Sequence, residues 1–295
     1  MAIRSKKELI EQEDLILVVR LLTAITVLRL NETFGHLNEV KELLNRIDAS
    51  LTRVFEIYPK GYSSYLKYGQ KRPVIRETTK IQKPLLVFVS SNKELYGDLI
   101  LNIAALFSKD MSTLDADGLV IGSVGKKLLE GKKFGGRVYF VDLDDDRPAL
   151  SVIQELSRLI ESYISVIVYH GKSESIVHQI ATKSNIKKIA TDLGRPSKKY
   201  FFEPTVDDVL EYLQKQIEVN SFHQKLYEAH LARLAARRWN WMKQQLTRQR
   251  LLDDLTVEYR LFRRGLMAKQ QQVAIFAHKL NIQQDEILKN SNLYG

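Results

Sequence analysis

One stretch constrains this chain more than any other: from Thr205 to Lys289 there is no proline and a single glycine, Gly265. Proline breaks a helix interior and glycine weakens it, so the stretch predicts one long helix. Its second half places apolar residues at Leu255, Tyr259, Phe262, Leu266, Val273, Phe276, Leu280 and Ile287. That alternation of three and four residues is the seam of a coiled coil, and a seam needs a partner strand. Continued upstream, the same spacing meets Arg238, Gln245 and Arg248 beside Leu231, Leu234, Trp241 and Leu252. The lower half is therefore expected to rest on another part of the molecule, and the upper half to pair.

The other end of the chain offers the partner. Between Leu15 and Tyr58 there is again no proline and one glycine, Gly35, and Leu37, Val40, Leu44, Ile47, Leu51, Val54 and Tyr58 repeat the spacing. The β-branched residues Val19, Thr23, Ile25, Thr26 and Val27 would also suit a strand, but the length of the run favours helix. Pro59 and Gly61 end it. Two pairing terminal helices must enclose what lies between them. The plan is a two-helix rod, residues 1–59 and 205–295, with a linker at 60–83 and a domain at 84–204.

The middle has a different grammar. Leu85 to Val89 is a short unbroken apolar run of the kind buried on both faces of a sheet, and Leu95 to Phe107 has helical spacing. Strand and helix then alternate: Gly118 to Gly122, Lys126 to Glu130, Arg137 to Val141, Ala149 to Ser162, and Ile164 to Tyr169. This predicts a mostly parallel sheet with helices on its faces, a Rossmann-like α/β domain. Ser175 to Ala181 alternates a short turn after the previous strand, as a hairpin on the sheet edge would.

The balance of 45 Lys+Arg against 35 Asp+Glu, a formal charge of +10, favours an acidic partner without naming it. The absence of cysteine excludes disulfides and thiolate metal sites. Leu15 to Leu30 is the most apolar segment, but Arg20 and Arg29 interrupt it and it is shorter than the roughly 20 residues that span a bilayer. No secretory signal and no membrane insertion are expected.

Three constellations invite chemistry. Gly122, Gly125 and Lys126 follow a strand, but a phosphate loop needs another glycine where Val120 stands and a hydroxyl where Lys127 stands, so a tight strand-to-helix turn is the better reading. Asp142, Asp144, Asp145 and Asp146 lie past a strand end and read as a solvated loop rather than a magnesium site. His170 and His178 fall in the hairpin with no nucleophile placed for them. No catalytic, cofactor or metal residue is assigned.

The basic C-terminal helix, with Arg233, Arg237, Arg238, Arg248, Arg260, Arg263 and Arg264 among others and with Trp239 and Trp241, leaves three readings open. It is a nucleic-acid-binding helix, a solvated face, or a basic rod gripped by an acidic protein ring.

On several anchors the sequence resembles the gamma subunit of the rotary F-type ATP synthase. These are Ser90-Ser-Asn-Lys-Glu-Leu-Tyr-Gly97; Ile121-Gly122 with Gly125; Phe202-Glu203-Pro204; and Glu228-Ala-His-Leu-Ala-Arg233-Leu-Ala-Ala, then Asn240, Leu255 to Tyr259 and Arg263. It departs from the family pattern at Glu94 for glycine, Tyr96 for cysteine, Arg260 for asparagine, Arg264 for glutamine and Gln270 for an acid. The resemblance implies a non-catalytic central rotor shaft, an antiparallel coiled coil inside a ring of alpha and beta subunits. Its α/β domain would lie near the epsilon subunit and the membrane rotor ring, cytoplasmic and peripheral to a membrane. It further implies ring contacts at Arg260, Arg263, Arg264 and Gln270, and foot contacts at Leu95, Gly97, Phe202 and Glu203. A nucleic-acid-binding protein with an α/β dimerisation domain is the alternative.

Overall fold

The computed structural model describes residues 2–57, 81–145, 150–186 and 206–291. The expected linker, the motif Phe202-Glu203-Pro204, Tyr58, Asp146 and Thr205 lie outside the described residues, as do the side chains of Leu280 and Ile287.

Helix α1 runs unbroken over Ala2–Ile57. Its β-branched segment is helical; Thr23 returns its hydroxyl to the Val19 carbonyl at 2.8 Å, a local bond that a helical backbone accommodates. The last helix, α5, spans Val206–Ser291, 86 residues. Between them come β1 (Leu85–Val89), α2 (Leu99–Thr113), β2 (Asp117–Ile121), α3 (Ser123–Leu129), β3 (Val138–Val141), α4 (Leu150–Glu161), β4 (Val166–Ser173) and β5 (Gln179–Asn185). The strands form one sheet in the order β3-β2-β1-β4-β5. β1 pairs in parallel with β2 and β4, β2 with β3, and only the edge hairpin β4–β5 is antiparallel. The first four positions of that order are those of a Rossmann sheet.

The apolar runs alternate between two cores because successive strand residues face opposite ways. Leu86, Phe88 and Val120 pack with Ile103 and Phe107 of α2, while Leu85, Val87, Val89 and Leu119 pack with Leu156 and Ile160 of α4. Helix α5 contributes to both, Ala232 and Ala236 to the first and Phe222 and Ala229 to the second. Small residues are what permit this: a Cβ placed on Gly171 at the end of β4 would stand 3.1 Å from the Ala232 methyl.

Several element boundaries differ from the expectation, and two have a visible local cause. α2 begins at Leu99 rather than Leu95, because residues 92–98 form a turn in which Gly97 takes a positive φ of 59°. β5 begins at Gln179 rather than Ser175, because the Ser175 hydroxyl accepts the amides of Val177 and His178 and builds the hairpin turn.

The described chain divides into two compact units, Met1–Ala24 with Trp241–Gly295, and Ile25–Asn240. The N- and C-terminal helices pack together. In the first unit Arg248 donates to Gln12 at 3.2 Å, and in the second the rings of His36 and Tyr227 stack at 5.9 Å. The partner number on α5 falls as the number on α1 rises, the antiparallel sense. The half-buried face of α5 in the first unit includes Leu255 and Tyr259 of the expected seam. Trp241, Gln245, Arg248, Leu252, Leu255 and Tyr259 are half-buried at alternating spacings of four and three, whereas every residue from Arg260 to Lys279 is exposed. On α1, Leu37, Ile47, Leu51 and Val54 are buried within the second unit, to which they belong. Mixed polar positions form the covered seam because a two-stranded contact tolerates long amphipathic side chains whose stems pack and whose heads reach water.

Candidate functional site

The most elaborate polar arrangement lies where α5 crosses the carboxyl ends of the parallel strands, the edge at which open α/β sheets place ligands. Asp145, just past β3, is buried. Its Oδ2 accepts the Asn92 backbone amide at 2.8 Å and the Tyr96 hydroxyl at 3.4 Å, and its Oδ1 faces Arg233 Nη2 of α5 at 3.5 Å. Arg233 Nη1 donates to the Ser90 carbonyl at the end of β1. One turn along α5, Arg237 lies over the Tyr96 ring at 5.1 Å and donates from Nη2 to its hydroxyl at 2.7 Å. Both arginines are 8% exposed. Charges so buried need compensation: Arg233 has the Asp145 carboxylate and the Ser90 carbonyl, and Arg237 has the Tyr96 ring and hydroxyl, while the Nε of each makes no hydrogen bond.

Asn92 ties the strand ends to one another. Its Nδ2 donates to Asp142 at 2.6 Å and to the Leu143 carbonyl at 3.1 Å, while its Oδ1 accepts the Ser123 amide at 2.7 Å. Gly122 fits the crossing only as glycine: φ is 103°, and a Cβ would fall 2.7 Å from the Ser91 carbonyl oxygen. The turn at Gly122–Lys127 is thus a strand-to-helix junction pressed against the loop after β1. Among the described residues no group of three or more His, Asp or Glu is arranged to hold a metal.

Beside the network lies a cavity of about 460 Å³ lined by Ser90, Gly122, Asp145 and Arg233, and by His36, His223, Tyr227 and His230 of the two long helices. Burial pushes the His223 imidazole below its ordinary pKa. At the β4 end of the crossing His170 is wholly buried, its ring nitrogens 3.1 Å from the Gly171 carbonyl and from the Ser184 hydroxyl, with Glu228 at 3.9 Å. Burial lowers its pKa too, against the opposing pull of the Gly171 carbonyl and Glu228. His178 is exposed on the hairpin turn beside Glu174.

The residues expected to contact other subunits are distributed as follows. Arg260, Arg263, Arg264 and Gln270 are exposed on α5. Leu95 is 48% exposed, its carbonyl accepting Asn240 Nδ2 at 3.4 Å, and Gly97 follows in the same turn. Phe202 and Glu203 lie outside the described residues. The sequence reading did not single out Tyr96, Asp145 and Arg237 as one site. A signal was present: Ala229, Ala232, Ala235 and Ala236 surround Arg233 at helical spacing, and an alanine-rich face is a buried one.

The family model described as ATP synthase matches residues 17–267. The chain belongs to the gamma-subunit family of ATP synthase. A gamma subunit is the non-catalytic central rotor shaft of the F-type machine; the nucleic-acid-binding alternative has no support. Similar solved structures include the rotor of the Euglena gracilis mitochondrial ATP synthase, with 12% identity, 81% of this chain and 98% of that one covered, and a TM-score of 0.44. They also include the central stalk and c-ring of the Tetrahymena thermophila mitochondrial enzyme, with 12% identity, coverage of 77% and 98%, and a TM-score of 0.47. A second Euglena gracilis structure, of OSCP, F1 and c-ring in another rotational state, has 15% identity, coverage of 85% and 93%, and a TM-score of 0.44. No curated protein sequence matches the chain. No described helix of this gamma-family chain is long and apolar enough to cross a membrane.

Proposed function

We propose that the upper segment of α5, from Arg260 to Lys279, is the surface held by the alpha and beta subunits, and that the turn at Leu95 and Gly97, with Phe202 and Glu203, forms the foot toward the epsilon subunit and the membrane rotor ring. The observation that supports this reading is the exposure of Phe262, Leu266, Val273 and Phe276 beside Arg260, Arg263 and Arg264 on one unpaired length of helix. Apolar surface of that extent marks a partner site, and the planar guanidinium fork suits ring carboxylates. Residues 1–59 and 205–295 act as the shaft and 84–204 as the domain at its foot. The subunit is peripheral to the membrane and links ATP turnover to ion, and specifically proton, transport.

The mechanism is mechanical. An asymmetric rod in a near-threefold socket makes different contacts with each beta subunit, and so biases each toward a different conformation; rotation exchanges the biases. Reversing charge at Arg263 and Arg264 together, to glutamate, is expected to lower ATP turnover coupled to rotation in the assembled complex. Unchanged turnover and coupling would overturn the contact assignment.

A further inference from the structure

The turn between β1 and α2 has two sides. Leu95 and Gly97 flank Tyr96 in sequence; Leu95 is 48% exposed, but Tyr96 is 3% exposed and turns inward. Its hydroxyl donates to Asp145 at 3.4 Å and receives Arg237 Nη2 at 2.7 Å, and its ring lies under the same guanidinium. The neighbouring carbonyl of Leu95 is held by Asn240, one turn further along α5. Asp145 in turn is bound by Arg233, one turn the other way. Two successive turns of α5, through Arg233 and Arg237, grip one surface turn from below, and Asn240 reaches its backbone.

We propose that Tyr96 is a positioning residue that straps the foot turn to the shaft, so that force applied at Leu95 and Gly97 reaches α5 through the Tyr96–Arg237 and Asp145–Arg233 contacts rather than through the sheet. The inference rests on the foot assignment made above. Where the resemblance to the gamma family implies a cysteine, this chain has Tyr96. A cysteine side chain ends one atom beyond its Cβ and offers neither a ring for the guanidinium nor an oxygen for Asp145. Cation–π contact and a hydrogen bond from the same arginine fix both the distance and the orientation of the turn, which a single contact does not.

The test uses the assembled complex, with Leu95→Cys as the attachment point for a bead; the chain has no other cysteine. Tyr96→Phe removes one oxygen and keeps the ring. It is expected to speed amide exchange across residues 92–97 about tenfold, the size expected for a lost hydrogen bond to a charged group, with exchange in β2 and β4 unchanged. The bead's angular variance at each dwell should increase, while ATP hydrolysis keeps its rate. Tyr96→Ala should loosen the turn further. If the parent complex does not rotate the bead, the foot and rotor assignment is at fault. If the parent rotates it and Tyr96→Phe changes neither exchange nor variance, the strap is refuted. Should Tyr96→Phe fail to assemble, Asp145→Asn takes its place and must show the same loosening.

Discussion

The two halves of α5 are one uninterrupted helix with similar amounts of positive charge, yet they solve opposite problems. Below Asn240 the helix is finished within its own chain: Phe222, Ala229, Ala232 and Ala236 complete the two sheet cores, and Arg233 and Arg237 are buried against partners of fixed geometry. Above Tyr259 nothing described covers it, and Phe262, Leu266, Val273 and Phe276 face solvent beside unburied arginines. The same residue type is a structural bolt in one half and an offered contact in the other. In the lower half, Ala232 and Ala236 let the helix approach the sheet closely enough to bury a guanidinium.

That contrast can be broken most directly by neutralising one arginine from each half. Arg233→Met leaves Asp145 buried without its counter-charge, and breaking such a pair costs about 3–5 kcal/mol. A thermal or denaturant melt of the chain should show it as a large fall in midpoint, whereas Arg263→Met should leave the melt where it was. Equal shifts would erase the distinction between the halves.

A smaller effect sharpens the lower half. His170 is pushed below its ordinary pKa by burial, with Glu228 and the Gly171 carbonyl opposing and Lys225 and Lys172 reinforcing. A depressed folded-state value means the fold excludes the proton. The contribution to stability is therefore present above the unfolded value of about 6.5 and is lost as pH falls below it. Stability should drop between neutral pH and pH 5, and His170→Gln should make the slope shallower without abolishing it, since His223 is depressed in the same direction. An unaltered slope would remove His170 from the account.

How far the sequence reveals this arrangement depends on the kind of signal. Proline-free length is enough to find α1 and α5, and the unbroken apolar runs find the parallel strands, because both follow from backbone chemistry that tertiary context seldom overrides. The hairpin start at Gln179 is hidden, since Ser175 and Val177 satisfy strand propensity while the Ser175 hydroxyl commits the backbone to a turn. The register of the rod is hidden for a related reason. Heptad spacing says which face of a helix pairs but not which stretch of another helix it meets, so the apolar positions of 37–54 and 255–276 match in pattern and still fall in different units. Arg233 and Arg237 escape because charge ordinarily marks a surface; only the alanines around them say otherwise. Asp145 escapes because its partners are 53, 49 and 88 positions away in the chain.

The gentlest test adjusts register alone. Gln12→Cys with Arg248→Cys should crosslink within the first unit, in a chain with no competing thiols. A failure of this pair to crosslink would remove the Gln12–Arg248 contact from the rod.

The crevice at the strand ends has one more consequence. In an enzyme built on such a sheet, that edge holds a molecule that arrives, reacts and leaves, with an affinity set by its concentration. Here the occupant is a helix of the same chain, so its effective concentration is fixed by covalent linkage and does not dilute. The joint therefore has no dissociation step in the usual sense; when Arg233 or Arg237 slips, it is held in place to rebind. A coupling built this way can be jolted repeatedly and re-form each time, which a free ligand in the same crevice could not do.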